Sequence, residues 1–215
     1  MKVKKLSDAM ELVRRKFPQL LSFDPVVNRV VPLVPLKDAE VLDPFEVEVH
    51  DRTAREFIDL LGGKVGVTGS LLYDDRHNDL DFLSFDEHHY VKLRELRERG
   101  ITLPLESHEK SEVEGLREEC FVEFKRSRVL EGVFRGIPYT FKIVKCVEEG
   151  EVVEERQVEG DFRIVNAVKP FSIPVMYEAV GETRVVLKSY RTRFTELKEG
   201  LRLSLRGPAQ LRKDQ

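Results

Sequence analysis

KVGVTGSLLYDDRHNDLDFLSF, residues 64–85, holds two short apolar runs separated by a polar loop. The first run, 64–67, reads as a strand that ends in the turn Thr68-Gly69-Ser70. A glycine there lets the backbone come close to a bound group. The turn opens a short helix, SLLY, whose first N–H groups are free to hold an anion such as a phosphate. Ser70 adds a hydroxyl and caps that helix. The second run, 78–85, reads as a strand in which Asp79 and Asp81 alternate with Leu80 and Phe82. A period of two puts both carboxylates on one face and both apolar side chains on the other. Two carboxylates projecting together offer the oxygen ligands that Mg²⁺ (or Mn²⁺) prefers. With two ions, such a site stabilises the attacking and leaving oxygens of an in-line phosphoryl transfer.

Helices are expected on both sides of this stretch. Over 51–61, Asp51 is the cap, Ala54, Phe57, Ile58 and Leu61 share a face, and Gly62-Gly63 stops the helix. Over 86–99, Asp86 is the cap, and Tyr90, Leu93, Leu96 and Arg97 share a face. A charged helix over 107–119 follows, then a hairpin over 128–147 that turns at Gly136-Ile137-Pro138. Before the central stretch, 7–17 reads as a helix capped by Ser7 and stopped by Pro18. Residues 24–48 hold four prolines and read as an extended arm packed on the main domain. The acidic stretch 148–161 reads as a domain boundary, and the pieces FRIVNAV, SIPVMYEAV, TRVVLKSY and LRLSLRG read as strands of a small β-rich unit. The expected divisions are therefore an N-terminal helix and arm over 1–48, a catalytic-type domain over 49–150 and a β-rich domain over 160–215.

VGVTGSLL followed by NDLDFLSF resembles the signature of the DNA polymerase β-like nucleotidyltransferase superfamily: an apolar strand, Gly-Ser, a spacer, then Asp-x-Asp on the next strand. More loosely, VPLKDAEVLDPFEVEVHDR before it and SYRTRF after it are similar to a group of archaeal nucleotidyltransferases. The resemblance implies an α/β (α+β) fold with a mixed sheet flanked by helices. It also implies transfer of a nucleoside monophosphate from an NTP to an acceptor, with release of pyrophosphate. Carried over by position, Gly69 and Ser70 bind the triphosphate, while Asp79 and Asp81 are the catalytic, metal-holding carboxylates.

One departure from the superfamily bears on catalysis. Its polymerising and adenylating enzymes carry a third carboxylate on a later strand. The matching strand here is YTFKIVK, whose outward residues Thr140, Lys142 and Val144 include no acid. Glu131 and Glu123 are the substitutes in reach of sequence reasoning, although neither has the usual placement. Lys142 instead offers a fixed positive charge that binds phosphate without a metal. Two readings follow: a metal-dependent nucleotidyltransferase acting on an RNA, protein or small-molecule acceptor, and an inactive nucleotide- or RNA-binding module that keeps the fold.

The remaining signals are weaker. His77 precedes the Asp pair in a loop, and His88 and His89, adjacent on a helix, read as surface residues that point about 100° apart. The run 188–194, KSYRTRF, joins basic and aromatic side chains. Tyr190, Arg191 and Arg193 are candidate nucleic-acid contacts, weighed against a plain alternating strand. Cys120 and Cys146 show no metal-ligand spacing, so they read as reduced thiols on buried strands or helix ends of a cytoplasmic protein.

The chain has 215 residues and 41% hydrophobic side chains, which excludes wholesale disorder. It has no apolar run long enough to span a membrane, and its start lacks the apolar core of a secretory signal. Three Asn and four Gln among many Arg, Lys and Glu suit a thermophilic source. The formal charge of −3 argues against a protein that coats nucleic acid along its whole surface. Yet residues 184–215 carry nine basic and three acidic side chains, a net of +6, against −9 for the rest. A local polyanion contact at the C-terminal end stays open.

Overall fold

The computed structural model describes residues 6–73, 77–106, 113 and 116–213. The expected helix over 107–119 falls almost wholly outside the described residues. The fold is mixed α/β, with four α-helices and three sheets among the described residues.

The chain divides into two compact units by its contacts, and the division differs from the one expected at 48 and 150–160. Residues 42–146 and 161–203 form one unit, while 1–41, 147–160 and 204–215 form the other. The division changes at both ends of the acidic stretch read as a boundary, and the stretch itself, up to residue 160, lies in the smaller unit. Most of it belongs to one strand, β8 (Val152–Lys169), that runs on from one unit into the next. Glutamates spaced along an extended chain keep their charges in solvent while the backbone still pairs, so acidity alone does not unmake a strand.

The larger unit is built on a six-stranded sheet. Asp51 caps α2 (Arg52–Leu61) by accepting a hydrogen bond from the Ala54 N–H at 2.6 Å. After Gly62 come β3 (Gly66–Thr68) and β4 (Leu80–Ser84), then α3 (His88–Glu98) and β5 (Thr102–Leu103). The helix α4 (Glu118–Ser127) leads into the hairpin β6 (Glu131–Phe134) and β7 (Ile137–Val144). Its turn lies one residue earlier than expected: Arg135 and Gly136 both have positive φ, at 51° and 81°, while Pro138 sits within the strand. The sheet order is β3-β4-β7-β6-β5. β3 runs antiparallel to β4, and β4 runs parallel to β7.

Strand alternation sets the two faces of this sheet. Leu80, Phe82, Tyr139, Phe141, Ile143 and Phe134 turn inward with Ala54, Phe57 and Leu61 of α2 and Leu93 and Leu96 of α3. Phe57 is the hub, with ring centroids 4.8–5.1 Å from Phe134, Tyr139 and Phe82. His89 also belongs to this interior and is 3% exposed, not the surface histidine its helix position suggested. Its Nε2 lies 2.8 Å from the Gly62 carbonyl, which accepts only, so Nε2 carries the proton. Nδ1 then accepts from the Ser84 hydroxyl at 2.7 Å. Satisfied at both nitrogens, the ring is buried without an orphaned polar group.

The segment 161–203 joins the same unit. Within it lie β9 (Ser172–Ile173), β10 (Val175–Val180), β11 (Arg184–Ser189) and the start of β12 (Arg202–Arg212). β9 extends the central sheet by pairing with β7, and Phe171 stacks on Tyr90 with centroids 3.6 Å apart. Glu196 accepts from the backbone N–H groups of Val129 and Leu130 at 2.9 and 3.0 Å. The four expected strands of the tail therefore form, but as parts of a sheet ordered β11-β10-β8-β12 rather than as a separate domain.

The smaller unit holds the helix α1 (Leu6–Lys16) and a hairpin of β1 (Leu21–Asp24) and β2 (Arg29–Pro32). Four prolines suggest an extended arm, with no hairpin expected in it. Instead Asp24 accepts from Val26 N–H at 2.8 Å, and Asn28 takes φ 53°, which together close a turn. No described residue of this unit is buried. Polar ties hold it: Glu155 accepts from Arg29 at 2.7 Å and from Gln210 at 2.8 Å, and Arg212 pairs with Glu149 at 3.0 Å. Cys120 and Cys146 are both free and exposed; Cys120 sits at a helix end, in the first turn of α4, while Cys146 is not on a buried strand. Among the described residues no helix is long and apolar enough to cross a membrane.

Candidate functional site

Strand register builds a row across the outer face of the central sheet. Thr68 of β3 pairs with Asp81 of β4, Asp81 with Thr140 of β7, and Thr140 with Glu131 of β6. Directly paired residues point to the same face, so these four side chains stand side by side. Asp81 is thus brought to the end of the Gly-Ser strand by tertiary pairing, across a loop of unequal composition.

The turn itself is tighter than a helix. Gly69–Leu72 forms one 3-10 turn, and its N-cap residue is Thr68, with no side-chain capping bond. Ser70 is therefore inside the turn rather than its cap. Gly69 has φ 65°, and a Cβ there would collide with Asp81 Oδ2 and stand 3.0 Å from Asp81 Cγ. Only glycine fits this approach, because any other residue would be strained in φ and would displace the carboxylate. The Thr68 hydroxyl beside it is buried without a hydrogen-bond partner.

Lys142 lies on the same outer face of β7, and its Nζ is 3.7 Å from Asp81 Oδ1. Asp81 is 20% exposed and Lys142 36% exposed in their side chains, so the pair is only partly shielded from water. Asp79 stands just ahead of β4 and is exposed. Glu131 does not serve as the third carboxylate. It is two strands from Asp81, about 10 Å at ordinary strand spacing, and it is paired with the fully buried Arg128. Glu123 is exposed on α4, outside the row. Thr140 holds the place next to Asp81. Among the described residues no three His, Cys, Asp or Glu side chains gather closely enough to hold a metal ion.

A second polar arrangement adjoins the turn. A cleft of about 670 Å³ is lined by Val47, Glu48, His50 and Asp51 from one side and by Leu71, Leu72, Tyr73 and His77 from the other. Asp51 faces His77, with Oδ2 3.3 Å from His77 Nε2. Asp51 was legible as a helix cap and His77 as a loop residue. Their pairing spans 26 positions and left no local signal.

The basic run near the C-terminus is no continuous strand. β11 ends at Ser189, and Thr192–Phe194 forms a 3-10 turn. Tyr190 is 62% exposed, Lys188 lies over its ring at 5.7 Å, and Arg193 lies over Phe194 at 5.3 Å. No protein-family model, curated protein sequence or solved structure matches this chain.

Proposed function

We propose that the chain is a metal-dependent nucleotidyltransferase of the DNA polymerase β-like kind, acting in the cytoplasm on an NTP and an RNA, protein or small-molecule acceptor. The observation that carries this reading is the contact between the Gly69 backbone and the Asp81 carboxylate. It supports a phosphate-binding turn directly beside a metal-holding carboxylate, an arrangement that Gly-Ser and Asp-x-Asp imply only when their strands are neighbours. The antiparallel β3–β4 pair and the parallel β4–β7 pair support the same fold.

The donors present fit Mg²⁺. The ion is content with one or two carboxylates when water and substrate phosphates complete its shell. Asp81, with Asp79 just ahead of the strand, would hold it, and the glycine at 69 leaves room for the Asp81 carboxylate beside the turn. When bound, the ion would neutralise the charge that develops on the transferred phosphoryl group. Gly69 and Ser70 offer backbone and hydroxyl donors to the triphosphate. Lys142 supplies a fixed charge on the other side of Asp81 and orients the phosphates toward it.

Thr140 in the row beside Asp81 favours a second reading, a nucleotide or RNA binder without turnover. In that case Tyr190, Arg191 and Arg193 are the nucleic-acid contacts, and RNA affinity falls steeply with salt. The deciding experiment measures Mg²⁺-dependent NTP binding and pyrophosphate release in the parent, Asp79→Ala and Asp81→Ala. Loss of binding in both variants supports the site. Equal binding in all three removes it, and binding without pyrophosphate release selects the second reading.

A further inference from the structure

His77 is nine-tenths buried, and one of its nitrogens is unused. Its Nε2 faces Asp51 Oδ2 at 3.3 Å, while Nδ1 is buried with no hydrogen-bond partner among the described residues. The Asp51 carboxylate cannot drift, because its other oxygen accepts the Ala54 N–H at the start of α2. A carboxylate facing Nε2 favours, in the neutral ring, the tautomer with the proton on Nε2 and a lone pair on Nδ1. A buried acceptor without a donor is costly, and a ligand hydroxyl that reaches it removes that cost.

The cleft beside this ring says which hydroxyl. Leu71 and Leu72 belong to the same 3-10 turn as Gly69 and Ser70, so the cleft begins where the phosphate-binding turn ends. His77 lies two residues before Asp79, so the other flank of the motif also borders it. Val47, Leu71 and Leu72 give the cleft an apolar part, and Tyr73, 68% exposed, gives it an aromatic edge.

We propose that this cleft takes the nucleoside half of a ribonucleoside triphosphate, with a ribose hydroxyl donating to His77 Nδ1. Asp51 is the positioning residue that fixes the ring and its tautomer. Tyr73 offers a face on which a base stacks, which is tolerant of base identity. The inference rests on the triphosphate lying at Gly69 and Ser70, and it adds discrimination of ribose from deoxyribose.

The test titrates the full chain with Mg²⁺-ATP, Mg²⁺-2′-deoxy-ATP, Mg²⁺-3′-deoxy-ATP and inorganic tripolyphosphate, read by calorimetry. ATP is expected to bind about tenfold tighter than the deoxy form that lacks the donating hydroxyl. In His77→Phe, ATP falls to the affinity of that deoxy form, and tripolyphosphate is unchanged. If His77→Phe does not fold, Asp51→Asn replaces it. Asparagine still caps the helix but favours the opposite tautomer, so the preference for ribose shrinks. Equal binding of all three nucleotides overturns the inference and leaves the phosphate site standing. A ribose preference that survives in the folded variant also overturns it. Failure of the parent to bind either ATP or tripolyphosphate removes both this inference and the nucleotide reading beneath it.

Discussion

Gly69 and Asp81 are in contact: the glycine's missing Cβ is the space in which the aspartate's carboxylate lies. The two residues are 12 apart in the chain and are joined by the pairing of Thr68 with Asp81. Gly69→Ala is therefore expected to act twice. A non-glycine residue at φ 65° costs about 1–2 kcal/mol, and the new methyl group displaces Asp81. A lower denaturation midpoint together with loss of Mg²⁺-dependent NTP binding is the expected result. An alanine variant that binds like the parent would show that the contact is incidental.

Thr140 stands beside Asp81 in the row. Thr140→Asp is expected to raise affinity for Mn²⁺ and to lower stability without it, since like charges directly opposite repel. Paramagnetic titration with Mn²⁺ measures the first effect and thermal unfolding in chelator the second. An unchanged Mn²⁺ affinity would count against the row as a metal site.

Glu196, just after the 3-10 turn Thr192–Phe194, is tied to the residues leading into β6, and burial raises its pKa from the ordinary 4.5. The N–H groups of Val129 and Leu130 and the Arg128 guanidinium pull it down, Glu131 pushes it up, and burial prevails. A carboxyl that holds its proton more tightly when folded stabilises the fold at low pH, and that contribution is lost as pH rises through the folded value. Glu196→Gln is expected to flatten this part of the stability profile above pH 4.5, as read by urea midpoints across pH. A profile identical to the parent's would mean the carboxyl titrates normally.

Glu155 has the opposite sign. The hydrogen bond from Arg29, followed by that from Gln210, lowers its pKa from 4.5 to about 2. Its contribution is present above 4.5 and is lost as pH falls toward 2. Because no described residue of the smaller unit is buried, Arg29→Ala is expected to loosen it. Faster amide exchange of β1 and β2, with exchange of β4 and β7 unchanged, is the expected signature; uniform protection would contradict it.

Sites for tertiary chemistry and sites for local structure differ in how far they could be read. Asp51 as a cap, the Ala54, Phe57 and Leu61 face, and the alternation through Leu80, Asp81 and Phe82 were legible because each depends on neighbours within one or two turns. His89 was misread for the same reason: its partners are the nearby Ser84 and the distant Gly62 carbonyl, and only the latter explains its burial. The hairpin of the smaller unit was missed because prolines forbid helix more strongly than they forbid a turn.

By itself, the sequence determined the order of strands and helices around residues 64–85 and the residue types available at the turn, since periodicity and backbone restrictions act within a few residues. The tertiary structure alone decided which side chains meet. It set Asp81 against Gly69, Thr140 and Lys142, withdrew Glu131 to Arg128, and joined His77 to Asp51. Strand register and loop closure bring these partners together across distances over which no local pattern runs, and so no stretch of the chain, read alone, contains them.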